Sequence, residues 1–243
     1  MRPLKRLQSA WHRHSPGEFL ILIHRNIVHH LKARLSKPLS PGSERERSQI
    51  DLDYGIDTDE IREIGSLEIE SENARHAVRY QPSPQDLATS LIRALPIDHG
   101  RFAFLDFGSG KGRVLLIAAQ FPFAAVIGIE FSRELCSIAN RNLERLPVDK
   151  RQASVVECRC EDVIAYALPE TPLVCYFYNP FDPVIMKSVV SKLESSLEDA
   201  PRDVYVIYVH PEHRSLFEST GHWLVVDEGS SHAVFRARLA SFR

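Results

Sequence analysis

The chain has 243 residues, enough for one α/β domain of ordinary size with an extension. Hydrophobic residues make up 44% and charged residues 26%, a globular composition that excludes a disordered or fibrous chain. Ten Lys/Arg against three Glu give residues 1–50 a charge of +7, so a chain of −2 overall leaves −9 for the rest. An acidic body with a basic tail does not suit a dedicated nucleic-acid-binding domain.

Residues 17–36 (GEFLILIHRNIVHHLKARLS) read as an amphipathic helix, with Leu20, Ile23, Ile27, Leu31 and Leu35 at spacings of three and four. Its basic residues Arg25, Lys32 and Arg34 fit docking on this protein or a partner, with an anionic membrane surface as the alternative. The apolar run 19–23 is too short for a signal core, and no segment reaches the ~20 apolar residues of a membrane span. A cytoplasmic protein is expected. Residues 37–47 (KPLSPGSERER) have linker composition, which places a basic helical extension over 1–50 and a single domain over 51–243.

From residue 102 onward, strand-like and helix-like segments alternate. Short apolar runs predict strands over 102–107, 125–130, 154–158, 173–178 and 204–209. Helices are expected over 113–120, 133–146, 184–197 and 212–219. Two closing strands, about 223–226 and 233–238, flank a Gly-Ser-Ser turn and must form a hairpin. The expected fold is a doubly wound, mostly parallel seven-stranded α/β sheet with a C-terminal antiparallel hairpin. Cys136, Cys158, Cys160 and Cys175 read as reduced thiols, since no second Cys/His pair follows Cys158-x-Cys160 at zinc spacing; no metal is expected.

The first strand runs into Asp106-Phe107-Gly108-Ser109-Gly110-Lys111-Gly112-Arg113. Glycines at such a strand end allow close backbone approach to a ligand. A phosphate-cradling loop needs G-x-x-x-x-G-K-[ST]. Here Leu105 stands five before Gly110, and Gly112 follows Lys111, so that reading fails twice. A dinucleotide loop needs G-x-G-x-x-G, and this one is a residue short. Asp106 would repel a pyrophosphate but suits a cationic or amino-bearing ligand. Glu130 ends the next strand twenty residues after Gly110, where a carboxylate accepts hydrogen bonds from both ribose hydroxyls of an adenosyl group. That last feature is shared with NAD enzymes.

Residues 104–113 (FLDFGSGKGR) resemble the first motif of the Rossmann-like S-adenosylmethionine-dependent methyltransferases, and 127–131 (IGIEF) their second. Residues 160–163 (CEDV) resemble the third-strand motif and 178–181 (YNPF) the fourth. Residues 54–58 (YGIDT) and 80–84 (YQPSP) are similar to uncharacterised bacterial members, and the glycine loop to that of the non-SET histone and protein lysine methyltransferases. The resemblance implies S-adenosylmethionine as methyl donor. It implies donor contacts from Asp106, Gly108, Ser109, Gly110, Gly112, Glu130 and Phe131, with Asp162 at the adenine amino group. A segment folding over the donor would contribute Tyr80 and Ser83.

Methyl transfer from a sulfonium is an in-line displacement that needs alignment and a dry cavity more than acid–base help. Asn179 and Pro180 offer a side-chain oxygen and a backbone carbonyl that accept hydrogen bonds from an amine, and Phe181 offers a face for a planar or alkyl group. Asn179 and Phe181 are therefore the catalytic candidates, and nitrogen is favoured as acceptor, on a protein lysine or a small molecule. The motif lacks the second proline usual before the aromatic residue. His210, His213 and His232 are candidate bases, and Glu72, Asn73 and His76 candidate lining of the entrance. Lys111 either meets the ligand carboxylate or is solvated. The alternatives are oxygen methylation, a non-catalytic donor-binding scaffold and, less favoured, an NAD-type oxidoreductase.

Overall fold

The computed structural model describes residues 48–59 and 81–238. The basic helix expected over 17–36, the linker over 37–47, and the candidates Tyr80, Glu72, Asn73 and His76 lie outside the described residues. Helix α1 (Gln49–Tyr54) opens the described chain and spans the expected boundary between residues 50 and 51. Helix α2 (Gln85–Ala94) follows, burying Ala88, Leu91 and Ile92 at spacings of three and one. It stops at Leu95, which is extended because Pro96 disfavours a helical residue before it.

The sheet is built from β1 (Ala103–Phe107), β2 (Ala125–Glu130), β3 (Val156–Cys160), β4 (Leu173–Tyr178), β5 (Val204–Val209), β6 (Trp223–Glu228) and β7 (His232–Ala237). Four helices join them: α3 (Arg113–Ala118), α4 (Arg133–Glu144), α5 (Pro183–Asp199) and α6 (Ser215–Glu218). The strand order is β3-β2-β1-β4-β5-β7-β6. Pairings from β3 through β5 are parallel, and β7 runs antiparallel to both β5 and β6. The expected hairpin is present, and its second strand inserts between β5 and the edge strand β6.

Alternation along the strands divides the core. Phe104, Tyr176 and Ile207 face the side packed by Ile92, Leu116 and Leu143 of α2, α3 and α4. Leu105, Phe107, Phe177 and Tyr208 face the side packed by Met186, Val189 and Leu193 of α5 and Phe217 of α6. Each such side chain, fully buried, contributes about 1.5–3 kcal/mol, which is why the central strands read as continuous apolar runs. Helix starts are specified locally. Ser132 Oγ accepts from the Leu135 amide at 3.3 Å, and Asp182 accepts from Val184 and Ile185, with Pro183 in the first turn of α5.

Several boundaries move by one or more residues, and three of the shifts have a clear backbone reason. The third strand begins at Val156 rather than 154, because the amides of Gln152 and Ala153 bond to Ala119 O and that of Ser154 to Phe123 O. Helix α3 closes at Ala118, where Gln120 and Phe121 make tight bonds three residues back ahead of Pro122. The helix expected over 212–219 shortens to α6, since Arg214, Leu216 and Phe217 also bond three residues back. No helix among the described residues is long and apolar enough to cross a membrane.

Candidate functional site

Strand order reverses at β1: its connection leads to β2 on one side, while β4 lies on the other. In sheets of this kind ligands bind at such a reversal, in the crevice outside the carboxyl ends of the strands. The glycine loop lies on one wall and Asn179-Pro180 on the other. Gly108, Gly110 and Gly112 have φ of 78°, 54° and 82°, the left-handed region that side chains avoid. A Cβ on Gly108 would lie 2.7 Å from Pro180 Cβ, so the two walls touch through this glycine.

Glu130 is 3% exposed, and both its oxygens face backbone amides. Oε2 accepts from Gly110 N at 2.9 Å, and Oε1 from Ser132 N at 2.9 Å. Burial raises its pKa to about 7 against the opposing pull of the amides of Ser132, Gly110 and Phe131. Asp106 is 4% exposed, and burial followed by the nearby Glu130 charge raises its pKa to about 8. Two carboxylates thus share a buried wall of the crevice, and a bound cation would favour their ionised forms.

Ser109 is buried with its hydroxyl 3.4 Å from Cys158 Sγ, so its side chain packs between β2 and β3 and only its backbone faces the loop. Phe131 is half-buried next to Glu130. Asp162 is half-buried just past β3, and its Oδ1 accepts from the Ile164 amide at 2.9 Å, a local turn bond. Ser83 is buried, and Gln81 Nε2 donates to Tyr178 OH at 3.3 Å, which brings residues 81–83 to the end of β4.

The fourth-motif residues differ from expectation in detail. Asn179 has φ 42°, and its Oδ1 accepts from Tyr208 OH at 3.2 Å. Phe181 is 5% exposed, packed within the same cluster as Phe107 and Ile185. Its ring is core packing rather than an open face for an acceptor. The rings at the strand ends are instead Tyr178, half-buried, and the exposed His210, whose centroids lie 5.3 Å apart. His210, at the end of β5, has φ 48°. His213 donates its amide to Tyr208 OH at 3.4 Å, and His232 pairs with Asp227 at 3.1 Å on the hairpin, away from β4.

Lys111 is neither solvated nor aimed at the crevice. It is fully buried, and its Nζ donates to both oxygens of Asp57 at 2.9 Å. Arg113 donates from Nε to Thr58 Oγ1 at 2.8 Å and pairs with Asp59. The signal for this was present in the sequence as two cations in a glycine loop and an Asp-Thr-Asp upstream. Nothing in their spacing matches one to the other.

Residues 105–204 match the methyltransferase domain family. The release factor glutamine methyltransferase of Caulobacter vibrioides is 32% identical over 74 residues, which cover 30% of this chain and 25% of that protein. The chain therefore spans about a quarter of the curated relative it matches. Among solved structures, a Pyrococcus horikoshii protein assigned as an RNA methyltransferase aligns over 80% of this chain and 97% of that one, with TM-score 0.50 and 13% identity. An RNA methyltransferase of Salinibacter ruber in complex with S-adenosyl-L-homocysteine aligns over 65% and 93%, with TM-score 0.44 and 19% identity. The similarity to the Pyrococcus horikoshii protein is one of fold.

Proposed function

We propose that the chain is an S-adenosylmethionine-dependent methyltransferase, a reading supported by the methyltransferase-domain match over residues 105–204, and that it methylates an acceptor amine on a protein lysine or a small molecule. The observation that carries the reading is the buried pair Asp106 and Glu130 beside a loop whose three glycines all have positive φ. The donor set fits the methyl donor. Asp106 would take the ammonium of its methionine part. Glu130 keeps lone pairs for the ribose hydroxyls after accepting two amides. Phe131 and Asp162 would border the adenine, and Gly108, Gly110 and Gly112 would admit the donor chain. The donor supplies a methyl group made electrophilic by its sulfonium.

The protein's own part is then to exclude water and aim the acceptor. Tyr208 accepts the His213 amide and turns its own proton to Asn179 Oδ1, which fixes the amide plane. An amide oxygen has a second lone pair, and that one remains for an acceptor N–H. The Pro180 carbonyl offers another. Phe181 supports the Gly108–Pro180 contact from beneath, in place of the acceptor contact expected from the sequence.

Calorimetric titration with S-adenosylhomocysteine and with NAD tests the donor. Micromolar binding of the former is expected, and NAD binding in its absence would overturn the reading. Radiolabelled methyl transfer into lysate, split into protein, nucleic-acid and small-molecule fractions, tests the acceptor. Label in the nucleic-acid fraction alone would refute a protein or small-molecule acceptor.

A further inference from the structure

Asp51, Asp57, Thr58 and Asp59 have no part in the transfer proposed above, yet their side chains converge on the two cations of the glycine loop. Loop residue 111 is held at both ends. Its Nζ donates to the Asp57 carboxylate, and its carbonyl accepts from Asn142 Nδ2 at 2.9 Å. The same Asn142 amide brackets the backbone of Asp57, donating to its carbonyl at 3.0 Å and accepting its N–H at 3.3 Å. One residue beyond the glycines, Arg113 donates to Thr58 Oγ1, whose proton goes to Asp51 Oδ1 at 2.5 Å. Asp51 Oδ2 accepts the amides of Thr58 at 2.7 Å and Asp59 at 3.1 Å. Arg145, on the residue that caps α4, reaches Gly55 O.

These bonds land on the loop and on the helix end beside it, not on the sheet. Of the segment, Ile50 and Ile56 enter the apolar core and Tyr54 packs against it, and the rest of its attachment is polar. Three glycines in five residues give the loop unusual backbone freedom, and a ligand that binds it must bear the cost of ordering it. Residues fixing the loop in advance remove that cost.

We propose that residues 48–59 form a strap that positions the glycine loop for the methyl donor, with Asp57 and Thr58 as positioning residues acting through Lys111 and Arg113. The inference rests on the methyltransferase reading and extends it to residues outside the domain match. Loss of one strap contact leaves the crevice chemistry in place and loosens the backbone around Gly110, whose N–H is aimed at Glu130.

The test is S-adenosylhomocysteine affinity of the full chain by calorimetry, with backbone hydrogen exchange over residues 108–113 as the second readout. Asp57→Ala and Thr58→Val are expected to weaken binding on the order of tenfold and to speed exchange in the loop. Asp57→Ala and Lys111→Met are expected to be non-additive, since each breaks the same pair. Asp57 is half exposed, so Asp57→Asn serves as a milder variant should Thr58→Val fail to fold. Unchanged affinity and unchanged exchange in folded Asp57 variants would overturn the strap. Absence of binding by the unmodified chain would instead overturn the donor reading beneath it.

Discussion

The backbone N–H of Gly110 donates to Glu130 Oε2 at 2.9 Å, closing the first βα loop onto the end of the second strand across twenty residues of sequence. The bond holds the carboxylate at the crevice and fixes the middle of the glycine loop in one step. Gly110 has φ 54° there, a conformation that costs a side chain about 1–3 kcal/mol. Gly110→Val should therefore weaken S-adenosylhomocysteine binding on the order of 10- to 100-fold, read by calorimetry against an unchanged circular dichroism spectrum. Wild-type affinity in that variant would remove the loop from the site.

Stability and binding should depend on pH in opposite senses. In the unfolded chain Asp106 and Glu130 release protons near their ordinary values of 3.8 and 4.5, whereas in the fold they hold them to about 8 and about 7. The folded state thus binds more protons across that window, so the unliganded protein loses stability as pH rises through it. Its Tm should fall between about pH 5 and about pH 8, and fall less in Asp106→Asn. A cationic ligand favours ionised Asp106, so binding should release protons, measurable as a buffer-dependent enthalpy. A Tm slope identical in the two proteins would show that Asp106 is ionised without ligand.

Asn179→Ala should keep donor affinity and lower turnover on the order of 100-fold, the scale of a lost oriented hydrogen bond at a reacting centre. Tyr208→Phe removes the bond to Asn179 Oδ1 together with the one accepted from the His213 amide, and should lower kcat in the same direction by less, with donor affinity unchanged. Full turnover in Asn179→Ala would reduce that residue to a turn former at the end of β4.

Phe217 joins the hairpin to the sheet. Its ring stacks on Phe235 at 4.9 Å and meets Trp223 edge-on at 5.3 Å, with no exposed surface. Phe217→Ala should cost about 3–5 kcal/mol in urea unfolding. A loss under about 1 kcal/mol would mean that the neighbouring rings collapse into the space.

Most of the fold was legible because its signals are local. The runs 125–130, 173–178 and 204–209 match β2, β4 and β5 to the residue, since a strand buried on both faces must be apolar throughout. Helices α1 and α2 were not anticipated. One is six residues long and the other ten, and the first is held by side-chain bonds rather than by an apolar stripe. The start of β3 shifted because the amides before it bond to Ala119 and Phe123, and α6 shortened because its amides bond three residues back. Phe181 reads in sequence like an acceptor-facing ring, and its burial follows from the turn that Asn179 makes with φ 42°.

The sequence by itself determined the glycine loop, the carboxylate twenty residues after it and the alternation of strand with helix. Those are short-range patterns, written in residue type and spacing, and they suffice to indicate the kind of ligand. Which charges meet was decided only by the tertiary structure. Lys111 is tied to Asp57, fifty-four residues upstream, and Arg113 to Thr58 and Asp59, because the fold lays one segment against the back of the loop and buries the cations there. A buried charge takes whichever partner the packing brings within reach. That partner is set by the path of the chain through space, which spacing along the sequence does not encode.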